Sequence, residues 1–383
     1  MAINLFADTG KPPERLHPQF VSLRDSHMHG PARQMLRETQ KHFDDPDGNF
    51  VEQFQTTGFD SRTFELFLFE MFRESGHTID RSHNRPDFLI SREGTTAAVE
   101  AVTASQPSNG GVRPYLAIPK GLPDSEMAQY IKHSLPIRLG SPLYTKLKAK
   151  YWEESHVAGM PFIIAIEDFH EAGSLGNTST PLVNYLFGQG HQWHHDANGE
   201  LIITEHQLKN HKNGVKDIPS GFFNLPDSEN ISAVLFCNTG TIPKFLRMGH
   251  KGPYHDAALN ILRVGTCYRH DPNASMPNVF MYEVGDSGDT ENWREGTVLI
   301  KNPRALHPLP DHWLGAGVEV DLVGGQTVTN GHEPFIPYSS VTRIFHGLPR
   351  KLFEKYADEI WEDFVKIFHH YNNIDKGNQS TEG

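Results

Sequence analysis

Between residues 161 and 166 the chain reads Pro-Phe-Ile-Ile-Ala-Ile, a nearly unbroken apolar run with no polar alternation. Alternation is what a strand with one solvated face requires, so this run suits a strand buried on both faces. Such strands arise when a chain returns parallel to a sheet after a helical crossover, which points to an α/β fold.

The residues upstream supply the elements that such a strand needs. Asp60 to Gly76 opens on cap-forming residues, closes on glycine and carries Phe64, Leu68, Met71 and Phe72 at helical spacing. This predicts a helix with Glu65 beside its apolar stripe. Residues His77–Arg81, Asp87–Ser91 and Ala97–Thr103 read as three short strands, the last two separated by Arg92-Glu93-Gly94. A helix is expected over Asp124–His133, and another capped by Ser141, with Pro142 at its first position and Lys146 to Trp152 inside. Before residue 59 the chain reads as an irregular arm with one helix, Pro31–His42. After 170 it reads as a mixed α+β region with candidate strands at Glu200–Ile203, Ile231–Cys237, Val279–Glu283 and Gly296–Ile300. A closing helix is expected over Pro349–Tyr371. The expected organisation is an arm over 1–58, a core over 59–170, a mixed region over 171–371 and a disordered tail over 372–383.

Composition narrows the function classes. Apolar residues make up 37% of the chain and charged residues 21%, enough to bury a core and unlike an acidic disordered segment. Cys237 and Cys267 are the only cysteines and lack CxxC spacing, which disfavours a disulfide framework or a cysteine zinc site and fits a cytoplasmic protein. No run approaches the roughly 18 apolar residues of a membrane span, and the N-terminus lacks the basic flank of a signal peptide. A net charge of −12 opposes indiscriminate binding to nucleic acid. Residues 111–151, however, carry seven Lys or Arg against Asp124 and Glu126, a basic island that either faces phosphates or is a solvated helix surface.

The candidate chemistry lies in the meander. Arg85-Pro86-Asp87 starts one strand, and Glu100 interrupts the apolar Ala98-Val99-Glu100-Ala101-Val102 of the next. A carboxylate in a buried strand is costly unless it is paired or coordinates a cation. Strands joined by a short turn can bring Asp87 and Glu100 to one end of the sheet, where Mg²⁺ (or Mn²⁺) would find two carboxylates. The plainer readings are a strand-start aspartate for Asp87, a solvent-facing edge glutamate for Glu100 and a helix N-terminal acid for Glu65.

Pro86, Asp87 and Glu100, placed after a helix and ahead of a crossover helix and further strand, resemble the PD-(D/E)XK superfamily of restriction-endonuclease-like nucleases. The resemblance implies a core of helix, three-stranded meander, crossover helix and strand. It implies metal ligation by Asp87, Glu100 and the carbonyl of Ala101, with Glu65 as an added helical acid. Val102 stands where the family carries its lysine. Lys146, or Lys150 four residues on, would supply that cation from the crossover helix. Arg113 and Lys120 would steer a phosphate backbone. The expected activity is Mg²⁺-dependent cleavage of nucleic acid, DNA ahead of RNA, by a homodimer or with a partner subunit.

Two other readings compete. The same fold without its lysine would be a silent scaffold binding nucleic acid or protein. Alternatively, Asp25-Ser26-His27-Met28-His29 has the Asp-x-His-x-His spacing of a histidine-based metallohydrolase, since alternate strand residues share a face. Glu167 and Asp168, at the end of the apolar run, could also line a cleft.

Overall fold

The computed structural model describes residues 3–105, 124–169 and 173–379. In it the apolar run lies near the middle of an eight-stranded mixed sheet. The N-terminal arm holds three helices, α1 (Pro18–Asp25), α2 (Gly30–Thr39) and α3 (Phe50–Gln55), where one was expected. The two missed helices are each under three turns, too short to be stable alone. They form because Phe20, Leu23, Phe50 and Phe54 are buried in the main core.

Helix α4 (Phe59–Glu74) is buried around almost its whole circumference from Phe59 to Phe72, because the arm and the sheet pack on opposite sides of it. Next come β1 (Thr78–Asp80), β2 (Phe88–Arg92) and β3 (Thr95–Ser105), an antiparallel meander. The two residues joining β2 to β3, Glu93 and Gly94, have φ of 53° and 80°, as a two-residue hairpin turn with right-handed strand twist requires.

Helix α5 (Asp124–Gln129) continues through a π-helical turn into α6 (Leu135–Ala149). The expected cap at Ser141 is wrong: Ser141 and Pro142 lie inside α6, which starts with Pro136 in its first turn. Leu135, Leu139, Leu143 and Leu147 bury one continuous face across the proline, and the Ser141 hydroxyl donates to the Ile137 carbonyl at 3.0 Å instead of capping a new helix. Strand β4 (Phe162–Phe169) then runs parallel to β3 and is buried along its length, as the run predicts.

The chain continues with α7 (Thr180–Phe187), two hairpins, β5 (Gln189–His195) with β6 (Leu201–Gln207) and β7 (Asn210–Asn213) with β8 (Lys216–Pro219), then β9 (Ala233–Cys237) and α8 (Ile242–Lys251). It ends with β10 (Leu259–Cys267), β11 (Asn278–Glu283), β12 (Thr297–Lys301), β13 (Val318–Val323), β14 (Gln326–Gly331), β15 (Pro337–His346) and α9 (Arg350–Gln379). The main sheet has the order β1-β2-β3-β4-β9-β12-β13-β14, and β11-β10-β15 form a smaller antiparallel sheet. The sheet therefore crosses the expected boundary at 170. Beyond it, the buried run Ala233–Cys237 pairs parallel to β4 and carries the sheet onward.

One core packs α4, the arm and α8 against one sheet face, and a second packs α6 and α7 against the other. This makes a mixed α/β layered architecture. The closing helix extends to Gln379, eight residues past its expected end, because no proline interrupts it; 380–383 lie outside the described residues. Among the described residues, no helix is long and apolar enough to cross a membrane.

Candidate active site

The pairing of Phe88 with Val99 sets Asp87, one residue earlier, across from Glu100. The Asp87 carboxylate accepts the Ala101 backbone N–H at 2.8 Å, which fixes it over β3. At Ala101 the observed contact is thus made by the amide. Glu100 is not an edge residue: β4 pairs on the far side of β3, and the residue is only 5% exposed. Its Oε1 accepts from Lys146 Nζ at 2.6 Å, a contact between positions 46 residues apart. Its Oε2 is buried without a well-formed hydrogen bond, the Asp87 backbone N–H exerting only a weak pull on the carboxylate.

The electrostatics follow from this crowding. Burial, reinforced by the charge of Asp87, lifts the Glu100 carboxyl above the usual carboxylate range against the pull of Lys146. Burial likewise raises Asp87, opposed by the Ala101 N–H and by Arg81 and Lys146. Burial opposes the ammonium of Lys146, yet Glu100 holds its pKa above the ordinary lysine value. Two adjacent, partly desolvated carboxylates with one oxygen lacking a well-formed hydrogen bond form a donor set that could hold a hard divalent cation.

The remaining predicted residues divide between this site and other places. Glu65 is buried on α4, with Oε1 taken by Arg62 and Oε2 accepting from Arg81 Nη2 at 3.0 Å, so both oxygens are engaged. Burial and the nearby Asp87 raise its pKa despite the two guanidinium groups. Lys150 does not join the site. It follows the end of α6 in a left-handed conformation, φ 52° and ψ 45°, so the four-residue neighbour relation to Lys146 fails. Its ammonium lies 3.0 Å from Asp227 and 3.7 Å from Glu153. Val102 packs in the core on the α6 side of the sheet. Arg113 and Lys120 lie outside the described residues.

The Asp-x-His-x-His segment is not a strand. Asp25 ends α1 and ion-pairs with Arg24, and His27–His29 form a 3₁₀ turn, so alternate side chains do not share a face. At the end of β4, Glu167 is fully buried, accepting the Gly240 N–H at 2.7 Å, while the Asp168 carbonyl accepts the Ser174 hydroxyl at 2.7 Å. These contacts tie the strand end to its neighbours.

Sequence reasoning missed Arg81. Its guanidinium lies 3.8 Å from the Phe43 ring centroid, and its Nε and Nη1 are buried without hydrogen-bond partners. A small cleft of about 70 Å³ opens beside it, lined by Asp45, Asn49, Arg62, Arg81, His83 and Asp87. The signal for Arg81 was weak because its partners, Glu65, Phe43 and Asp87, come from three separate stretches of sequence. No family model, curated protein or solved structure matches the chain.

Proposed function

We propose that the chain is a metal-dependent nuclease with a restriction-endonuclease-like core, hydrolysing phosphodiester bonds in DNA or RNA, with DNA the preferred substrate. The observation that carries this reading is the Glu100 carboxylate. One of its oxygens takes Lys146, the other is buried without a well-formed hydrogen bond, and Asp87 stands opposite. A desolvated pair of this kind is relieved by a cation more effectively than by one ammonium at its edge. Further support comes from the order α4, β1–β3, α6 and β4, with Pro86-Asp87 ahead of β2 and Glu100 in β3, which is the order the resemblance implies.

Asp87 and Glu100 would hold Mg²⁺ or Mn²⁺, which when bound supplies charge neutralisation at the phosphoryl oxygen and a lowered pKa for its water. In the hydrolysis, a water oxygen bonds to phosphorus while the bond to one sugar oxygen breaks. The water gives up a proton and the departing oxygen gains one. Lys146 would neutralise charge developing on the phosphoryl oxygens, the role left vacant by Val102. The Ala101 amide keeps Asp87 aligned. Arg81, with two unsatisfied nitrogens beside Asp87, would bind the substrate phosphate, and Glu65 with Arg62 would hold that guanidinium in place.

The test is cleavage of single- and double-stranded DNA and RNA with Mg²⁺ or Mn²⁺, comparing the wild type with Asp87→Ala and Glu100→Gln. The expected result is metal-dependent cleavage lost in both variants. Wild-type protein inert with every ion and substrate would overturn the reading in favour of a silent scaffold.

A further inference from the structure

We propose that His312, Glu319 and His332 form a second, separate metal site, selective for a divalent transition ion of the zinc class. In the main sheet, β4, β9 and β12 stand between β3, which carries Glu100, and β13, which carries Glu319. His312 lies in the connection from β12 to β13, and His332 directly follows β14. His312 Nδ1 is 3.3 Å from His332 Nε2 and 3.7 Å from Glu319 Oε2, and one ligand atom from each of the three residues lies within 4.8 Å of the others. Ligands bound to zinc at about 2.0–2.1 Å in a tetrahedron stand roughly 3.3–3.4 Å apart. Small side-chain rotations therefore close the set on an ion.

The surroundings hold this geometry in place. Glu319 is fully buried, and its Oε1 accepts the backbone N–H of His312 at 3.0 Å. His312 has φ of 59°, a left-handed conformation unusual for a side chain of its size, and its carbonyl accepts from Arg92 at 3.0 Å. Lys301 Nζ lies 2.8 Å from Glu319 Oε2 and would compete with a cation were it not itself shared with Asp311 at 2.7 Å and Asp321 at 3.4 Å. Three carboxylates against one ammonium leave an excess of negative charge, and Lys301 and the ion would share the lone pairs of Glu319 Oε2.

Two imidazoles with a carboxylate favour borderline ions such as Zn²⁺ over Mg²⁺ or Ca²⁺. A cleft of about 450 Å³ opens onto the three side chains, leaving a fourth position accessible to water or a small ligand.

The test uses full-length protein freed of metal with a chelator and titrated with Co²⁺, read by visible absorption, followed by displacement with Zn²⁺. The expected result is a tetrahedral cobalt spectrum at a single equivalent, unchanged in Asp87→Ala. His312→Ala and His332→Ala should each weaken binding by at least about 100-fold, since even outer-shell partners cost up to about that much. His312 is exposed and His332 half-buried, so neither variant opens the core. As a second readout, Zn²⁺ should raise the Tm of the wild type and not that of either histidine variant. Absence of a tetrahedral signal in the wild type, its persistence in both histidine variants, or its loss in Asp87→Ala would each overturn the proposal.

Discussion

Lys146 Nζ sits 2.6 Å from Glu100 Oε1, so the helix that crosses between β3 and β4 returns a cation to the one carboxylate buried in β3. Removing only one partner leaves a buried charge uncompensated, and removing both leaves none. Lys146→Met is therefore expected to destabilise the fold by about 1–3 kcal/mol, the range for an unsatisfied buried group. The double variant Lys146→Met/Glu100→Gln should recover part of that loss. Urea unfolding around the complete cycle measures the coupling. A loss in the double variant equal to the sum of the losses in Lys146→Met and Glu100→Gln would show that the two residues act independently. If the chain cleaves nucleic acid, Lys146→Met should also lower kcat by about 10²–10³, the cost of removing one preorganised donor.

Stability should fall on acidification because of His77. Its ring is packed edge-on against Trp313, with centroids 4.8 Å apart, and burial lowers its pKa from 6.5 to about 4. Above pH 6.5 the imidazole is neutral in both folded and unfolded chains. Between pH 6.5 and about 4 the unfolded chain binds a proton that the folded one refuses, so unfolding becomes progressively easier as the pH drops. Urea midpoints at pH 7.5 and pH 5 should differ less in His77→Phe than in the wild type. The same difference in both proteins would place the acid sensitivity elsewhere.

The acidic pair was readable because it is a local anomaly. Glu100 interrupts an apolar strand, Asp87 follows proline at a strand start, and Lys146 lies next to the Leu143 and Leu147 face of its helix. Each signal depends on only a few neighbouring residues. Lys150 was misread because the period of a helix does not reveal where the helix ends, and a left-handed residue rotates everything beyond it. Ser141-Pro142 has the composition of a helix start, but the continuous apolar face from Leu135 to Leu147 outweighs it. Arg81 and the His312–Glu319–His332 cluster depend on contacts between distant segments: the arm folding over β1, and the β13–β14 pairing that brings residues twenty apart together. No local pattern encodes these contacts.

Glu291 makes the strongest structural prediction. It is completely buried and receives Lys244 at 2.7 Å, Arg247 at 2.8 and 2.9 Å, and Arg263 at 3.3 Å, joining α8 to β10. Burial opposes its charge, yet these three cations hold its pKa well below the carboxylate range. Glu291→Gln keeps the shape and removes the charge that compensates them. Only Glu295, 2.7 Å from Arg263, then remains of the two carboxylates paired in this cluster. The expected loss is about 3–5 kcal/mol, as for breaking a buried ion pair from one side, and is read as a lowered urea midpoint at unchanged slope. A loss below about 1 kcal/mol would mean that the cations find water or other acceptors in the variant.

Arg81 tests whether the cleft beside Asp87 receives phosphate. Its Nη2 is held by Glu65, and the unsatisfied Nε and Nη1 do not share an edge of the guanidinium fork, so each would donate a single charge-assisted hydrogen bond to a phosphate oxygen. A lysine would keep the charge without the fork. In an Asp87→Ala background, where cleavage is blocked on the present reading, binding of duplex DNA can be followed against salt concentration. Arg81→Gln should weaken binding and make the slope of log K against log salt shallower by about 0.9, one phosphate contact fewer. Arg81→Lys should retain the slope but lose about 10-fold in affinity, the value of one charge-assisted hydrogen bond at roughly 1.5 kcal/mol. Weaker binding with an unchanged slope in Arg81→Gln would assign Arg81 to holding Glu65 and the Phe43 ring in place. Unchanged binding in both variants would remove this cleft from the substrate path and leave the two nitrogens as a desolvation cost of packing the arm over β1.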